Sequence, residues 1–269
     1  MSNLLYAIIV GLVQGISEWL PISSKTQVLF VSTILFGLPL SSAYAFGLFM
    51  EIGSLFSATF YFRRDIISLF HDRKLLVFLI VVTLVTAVEG VPLYLISDRL
   101  LSGAYNLGIP MMLLGVFLIG DGVYIRYSRV TPRIGTLDQL SLKHYVIVGL
   151  AQGFAALPGV SRSGMTVSTM LFMGVQPREA FKLSYLAYIP AAFGGFLTTI
   201  VFSRSELNIA LANFDTAGIG VAIVTAALVG ILAISALLGF AKRNDIYKVT
   251  ILLGFIALVI GAVAATLSL

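Results

Sequence analysis

The sequence predicts an all-α integral membrane protein with six transmembrane helices plus two re-entrant helical hairpins, arranged as an inverted-topology repeat. Three observations carry this. Only 11% of the residues are charged and 59% are hydrophobic, where a soluble domain carries roughly 25% charged residues. Six apolar stretches reach the roughly 20 residues that a bilayer-spanning helix needs. Two further apolar segments are interrupted in mid-course, and they resemble each other.

The first interrupted segment covers 4–36. Gln14, Glu18, a group of serines and Pro21 break its apolar run. It has no basic n-region, so no cleavable signal peptide is expected. Spans follow at 43–62, 75–97 and 107–125. The second interrupted segment, 145–173, again holds serines and a proline, Pro158, in its middle. Spans at 183–203, 215–240 and 248–267 complete a single membrane domain over 1–269, with repeat 1 at 1–125 and repeat 2 at 144–269.

The basic residues orient these elements. The connection 63–74 carries Arg63, Arg64, Arg73 and Lys74; 126–143 carries Arg126, Arg129, Arg133 and Lys143; 241–248 carries Lys242, Arg243 and Lys248. Between them, 98–106 carries only Arg99 and 204–214 only Arg204. Cytoplasmic loops are the basic ones, and this alternation survives only if each interrupted segment enters and leaves on one side. The first hairpin then opens to the outside, where both termini are expected. The second opens to the cytoplasm.

The hairpins repeat one another in blocks. Gly11-Leu12-Val13-Gln14-Gly15, Leu20-Pro21, Ser24-Lys25-Thr26 and Val31-Ser32-Thr33 match Gly149-Leu150-Ala151-Gln152-Gly153, Leu157-Pro158, Ser161-Arg162-Ser163 and Val167-Ser168-Thr169. Each copy is followed by three spans. An odd number of spans places the copies in opposite orientations, and such proteins hold their polar site near the midplane between repeats.

Ionisable groups inside a membrane are functional candidates by default. Here they are Glu18, Lys25, Glu51, Glu89, Asp121 and Arg162. Glu89 precedes Gly90 and Pro92, a kink site, and Asp121 reads as interfacial. The tips Pro21-Ile22-Ser23-Ser24-Lys25 and Pro158-Gly159-Val160-Ser161-Arg162-Ser163-Gly164 have the composition of an anion site. Their glycines admit close backbone approach, and a loop opening a helix presents free N–H donors. Ser161, Ser163 and Thr166 add hydroxyls, and Arg162 offers a planar fork for phosphate oxygens. Lys25 adds a second positive charge. Gln14 and Glu18 share one helix face. Glu18 suits a hard cation, Mg²⁺ or Ca²⁺, or the role of general base; an ion pair with Lys25 or Arg162 is the structural alternative. Glu51, near Gly53, is placed beside the hairpin.

Composition also excludes classes. Cysteine is absent, and His71 and His144 sit in polar connections, so thiolate and imidazole metal sites are not expected. The net charge of +5 reflects cytoplasmic loops, not nucleic-acid binding.

At the tips the chain resembles the bacitracin-resistance undecaprenyl-diphosphate phosphatase family. Gln14-Gly15-Ile16-Ser17-Glu18 followed by Pro21-Ile22-Ser23-Ser24 is similar to its first motif. Pro158-Gly159-Val160-Ser161-Arg162-Ser163-Gly164-Met165-Thr166 matches its second in full, and Tyr61-Phe62-Arg63-Arg64-Asp65 looks like the end of its first full span. The resemblance covers nearly the whole chain. It implies the same spans, hairpins and repeat. It also implies a polyprenyl diphosphate substrate cleaved to the monophosphate lipid carrier, an outward-facing site in the plasma membrane, and a divalent cation. It makes Ser24 the nucleophile, Glu18 a metal ligand or base, and Arg162 the phosphate clamp. Gln14, Ser23, Lys25, Gln27, Glu51, Ser161, Ser163, Gly164 and Thr166 are the expected substrate-binding residues. A second copy of the chain is a further candidate partner.

One departure matters. The family continues Ser-Ser-Thr-Gly-His where this chain reads Ser23-Ser24-Lys25-Thr26-Gln27. Glutamine accepts no proton, so activation of Ser24 falls to Glu18 or a metal-bound water. The alternative is a polyprenyl-phosphate transporter in which hydrolysis is weak or lost.

Overall fold

The computed structural model describes residues 3–20, 22–102, 108–128, 135–157, 159–240 and 246–266. Pro21 and Pro158 of the hairpin tips, the loop cations Arg129, Arg133, Lys242 and Arg243, and the side chain of Asp121 lie outside the described residues.

Among the described residues, each apolar segment of the sequence is built of helices. The first half holds α1 (Asn3–Ser17), α2 (Ser24–Phe36), α3 (Leu40–Tyr61), α4 (Arg63–Ser68), α5 (Arg73–Ser102) and α6 (Gly108–Ser128). The second holds α7 (Leu142–Gly153), α8 (Arg162–Phe172), α9 (Pro177–Phe202), α10 (Arg204–Leu211), α11 (Thr216–Phe240) and α12 (Ile246–Thr266). Among the described residues, four helices are long and apolar enough to cross a membrane: α3, α5 as far as Arg99, α9, and α11 as far as Gly239. Both interrupted segments are helix pairs, α1–α2 and α7–α8, broken where the polar residues fall.

Two elements were not foreseen. The connections after α3 and α9 fold as the short helices α4 and α10. Asp65 and Glu206 stand in their first turns, where a carboxylate suits the positive end of the helix dipole. Lys182 of α9 holds Asp65 of α4 at 2.7 Å.

Packing sets each interrupted pair against a helix of the other half of the chain. α1 lies on α11, α7 on α5, and α6 on α12, while α3 packs against both α9 and α11. The contacts of α1 and α7 depend on missing side chains. A Cβ on Gly15 would stand 2.8 Å from the Ala226 carbonyl oxygen, and one on Gly153 would stand 2.7 Å from Glu89 Oε2.

Polarity is inverted relative to a soluble protein. Val88, Leu232 and Phe56 are 79%, 71% and 60% exposed, while Gln14, Glu18, Ser24, Lys25, Glu51 and Arg162 are buried. Large apolar side chains outside with charges inside suit a hydrocarbon solvent, in which buried ionic groups pair and face the bundle interior. The chain is an all-α integral membrane protein.

Candidate active site

The site forms where the two helix pairs meet. α1 ends at Ser17, and Glu18 follows one turn after Gln14. The chain then reverses into α2, whose N-cap, Ser23, has φ 55°. Among the described residues it is the one non-glycine at positive φ. Such backbone costs of order 1–3 kcal/mol and persists only where its surroundings over-determine it. Here the Ser23 and Thr26 hydroxyls pair at 3.1 Å. Thr26 Oγ1 also accepts the Gly159 N–H from the other tip at 3.1 Å. Gly159 itself has φ 89°, a value that glycine adopts without steric cost. The two tips are therefore bonded to one another.

Glu18 is the hub. Its Oε2 accepts from Ser24 Oγ at 2.5 Å and from Gln14 Nε2 at 2.9 Å. Its Oε1 accepts from Arg162 Nη2 at 2.9 Å. Gln14 Nε2 reaches Ser54 Oγ at 3.2 Å as well. Residues 144 positions apart thus form a buried ion pair, and one carboxylate joins a serine hydroxyl to a guanidinium.

Arg162 is held on several sides. Its Nη1 donates to the Ser184 carbonyl at 3.3 Å, and its guanidinium carbon lies 4.1 Å from the Tyr188 ring centroid. Arg162 Nε is buried and has no partner among the described residues. Ser161 caps α8 by accepting the Gly164 N–H at 3.1 Å, and Ser163 Oγ donates to the Leu20 carbonyl at 3.0 Å. Thr166 pairs with Ser184 Oγ at 2.6 Å behind the site.

Glu18, Ser23, Ser24, Lys25, Glu51, Ser161, Arg162 and Ser163 line one small polar crevice. Lys25, Glu51 and Arg162 also line a larger neighbouring cavity of 140 Å³, whose walls include Leu48, Ala87, Val91, Pro190 and Ala192. Lys25 Nζ donates to the Ala155 carbonyl at 2.6 Å. The expected site residues are thus brought together, with four exceptions in detail. Gln14, Gly164 and Thr166 lie outside the crevice lining. Gln27 turns back to donate to the Ile22 carbonyl at 3.1 Å and does not line the crevice.

Tyr188, Ser184 and Ser54 were not foreseen. Tyr185 and Tyr188, three apart in a span, gave the available signal. Their rings lie edge-on to Trp19 at 5.1 and 5.2 Å, and their hydroxyls donate to the carbonyls of Trp19 and Glu51.

For a divalent cation the oxygen donors are Glu18 and Glu51. No group of three His, Cys, Asp or Glu that could hold a metal occurs among the described residues. Mg²⁺ is nonetheless commonly held by one or two carboxylates when phosphate oxygens and waters complete its shell, so this pair fits a cation that arrives with a phosphate.

The family model described as bacitracin resistance protein BacA matches residues 7–263. The undecaprenyl-diphosphatase of Sulfurisphaera tokodaii is 57% identical, covering 96% of this chain and 97% of its own. That of Saccharolobus islandicus is 52% identical over 99% and 100%, and that of Pyrobaculum aerophilum 37% over 94% and 95%.

Proposed function

The chain belongs to the bacitracin resistance protein BacA family, and from that membership we propose that it is an integral membrane undecaprenyl-diphosphate phosphatase, releasing inorganic phosphate and regenerating the monophosphate lipid carrier. One observation carries the assignment of roles: a single carboxylate, Glu18, takes the hydrogen bond of Ser24 on one oxygen and the guanidinium of Arg162 on the other.

The chemistry follows from that arrangement. Ser24 Oγ attacks the terminal phosphorus as its proton passes to Glu18 Oε2. The bond to the bridging oxygen breaks, and polyprenyl monophosphate leaves. Glu18 gives that proton to the departing monophosphate oxygen, and its freed carboxylate then takes one from water, which cleaves the Ser24 phosphoester and frees phosphate. Phosphoryl transfer rests chiefly on positioning and charge stabilisation, which Arg162, Lys25, Ser161 and Ser163 supply. The orphaned Arg162 Nε is a donor awaiting a phosphate oxygen. Glu18 and Glu51 would hold a Mg²⁺ or Ca²⁺, which offsets negative charge on the phosphates. The 140 Å³ cavity, which shares Lys25, Glu51 and Arg162 with the crevice, suits the first isoprene units of the tail.

The proposed topology is six spans with two re-entrant hairpins in an inverted repeat, multi-pass in the plasma membrane with both termini outside. Its support is the order of elements, which recurs from α1–α6 to α7–α12, and an exchange of partners. α1 of the first half packs on α11 of the second, and α7 of the second packs on α5 of the first. The same exchange favours a second reading, transport of a polyprenyl phosphate. Homodimerisation is a separate proposal, tested by mass in detergent.

Phosphate release from undecaprenyl diphosphate by the purified protein tests the reading. Turnover is expected with Mg²⁺ or Ca²⁺, to be lost on chelation and to vanish in Ser24→Ala and Glu18→Gln. Absence of turnover across metals and pH, with the lipid still bound, would transfer the assignment to transport.

A further inference from the structure

The helix contact that α1 makes with α11 is built a second time by α7 on α5, and comparing the copies isolates one residue. In the first, Gly11 approaches Ala222 and Thr225, and Gly15 approaches Ala226 and Val229. In the second, Gly149 approaches Val82 and Val85, and Gly153 approaches Glu89. Val85 takes the place of Thr225, and Glu89 takes the place of Val229. Packing at that position is therefore met by valine, yet the second copy places a carboxyl group in the middle of a membrane helix. Packing does not explain it, and the phosphate crevice does not include it.

The surroundings say what the carboxyl lacks. Glu89 Oε2 is buried without a hydrogen-bond partner among the described residues, and so is Gln152 Oε1. Gln152 is 2% exposed and adjoins Gly153, on which Glu89 packs. The amide orientation of Gln152 is fixed by its neighbour. Thr86 spends its single proton on the Gly149 carbonyl at 3.1 Å. It can therefore only accept from Gln152, and does so from Nε2 at 3.1 Å. The amide oxygen is left free. Pro92 lies inside α5 and has no N–H, so the Val88 carbonyl beside Glu89 lacks its helical donor too. Acceptors accumulate here without donors, and all are oxygens.

We infer that Glu89 and Gln152 form a site for a small monovalent cation of the sodium type, distinct from the phosphate crevice. Oxygen-only donors suit a hard cation. A lone carboxylate with neutral amide and carbonyl oxygens balances one positive charge, not two. Carbonyls freed from a broken helix are a usual source of sodium ligands in inverted-repeat membrane proteins. Gln152 and Gly153 line the 140 Å³ cavity that Lys25, Glu51 and Arg162 also line, so the Gln152 side of the site borders open space.

The test uses the full chain in detergent, with sodium chloride titrated against choline chloride at constant ionic strength. Unfolding is followed through Trp19 fluorescence, and binding through radioactive sodium. Sodium is expected to raise the Tm saturably and to bind once per chain. Glu89→Val, which installs the residue used by the other copy, and Glu89→Gln, which keeps the shape and removes the charge, are both expected to lose the sodium response while keeping phosphate release. A Tm that rises equally with choline, a sodium response unchanged in Glu89→Gln, or a response to pH alone would each overturn the proposal. Because its readout is binding and stability, failure of the phosphatase reading would leave it standing.

Discussion

At the scale of the residue, Arg162 is the side chain on which most depends, and its two jobs separate by substitution. As a buried charge it balances Glu18 at 2.9 Å. Removing one partner of such a pair costs roughly 3–5 kcal/mol, so Arg162→Ala should unfold at clearly lower temperature in a thermal melt. Arg162→Lys keeps the charge but not the planar fork, which bonds Glu18, Ser184 and the Tyr188 ring face together. The lysine variant should melt near the wild type yet lose about 10²-fold in kcat/KM for phosphate release, the usual penalty for one lost transition-state donor. The sequence made this residue legible because a guanidinium between two serines in an apolar segment costs too much to be kept for packing. Glu18 was legible for the same reason, and Ser24 only through the resemblance of its motif to the family's. Tyr188 was not, because an aromatic residue in a span looks like packing. The Ala155 carbonyl that holds Lys25 could not be, because a backbone acceptor leaves no trace in residue type. Gln27 was expected at the ligand from its place near the motif; in the structure its amide reaches back to Ile22 across the left-handed turn at Ser23.

At the scale of the element, Ser24, the proposed nucleophile, is positioned by a helix start, and that start is pressed against α3. A Cβ on Gly47 would stand 2.9 Å from the Lys25 carbonyl oxygen and 3.1 Å from its Cα. The obstacle is backbone, so α2 must yield as a unit. Gly47→Ala should therefore lower stability by about 1–3 kcal/mol, as overpacking does. It should also draw Ser24 Oγ away from Glu18 Oε2 and so lower kcat more than it raises KM. A purely structural effect would shift the melt and leave kcat at permissive temperature unchanged, and steady-state kinetics beside a melt distinguishes the two. The interrupted apolar runs gave both hairpin helix pairs to within a few residues, since period and polarity change together there. α4 and α10 stayed hidden. Their segments are short and polar, and what folds them is tertiary: Asp65 finds Lys182 on α9, and Leu207 and Ala210 bury one face of α10.

At the scale of the whole molecule, the proposed inverted repeat makes a claim about sidedness that charge alone cannot prove. The basic connections alternate with poor ones only if α1–α2 and α7–α8 each return to the side they entered. The native chain has no cysteine, so single cysteines report without background. Cysteines placed at Phe70, 86% exposed beside Arg73, and at Leu142, 59% exposed at the start of α7, should react only with reagent admitted to the cytoplasmic side. Cysteines at Ser205 and Asn213, at the two ends of α10, should react only from outside. Labelling of all four from one face would contradict the odd number of spans per repeat. It would also remove the basis for pairing α1–α11 with α7–α5 as related copies. The opposed pattern would place the Glu18–Arg162 pair between two halves of opposite orientation, at the depth where each half contributes one tip to the crevice.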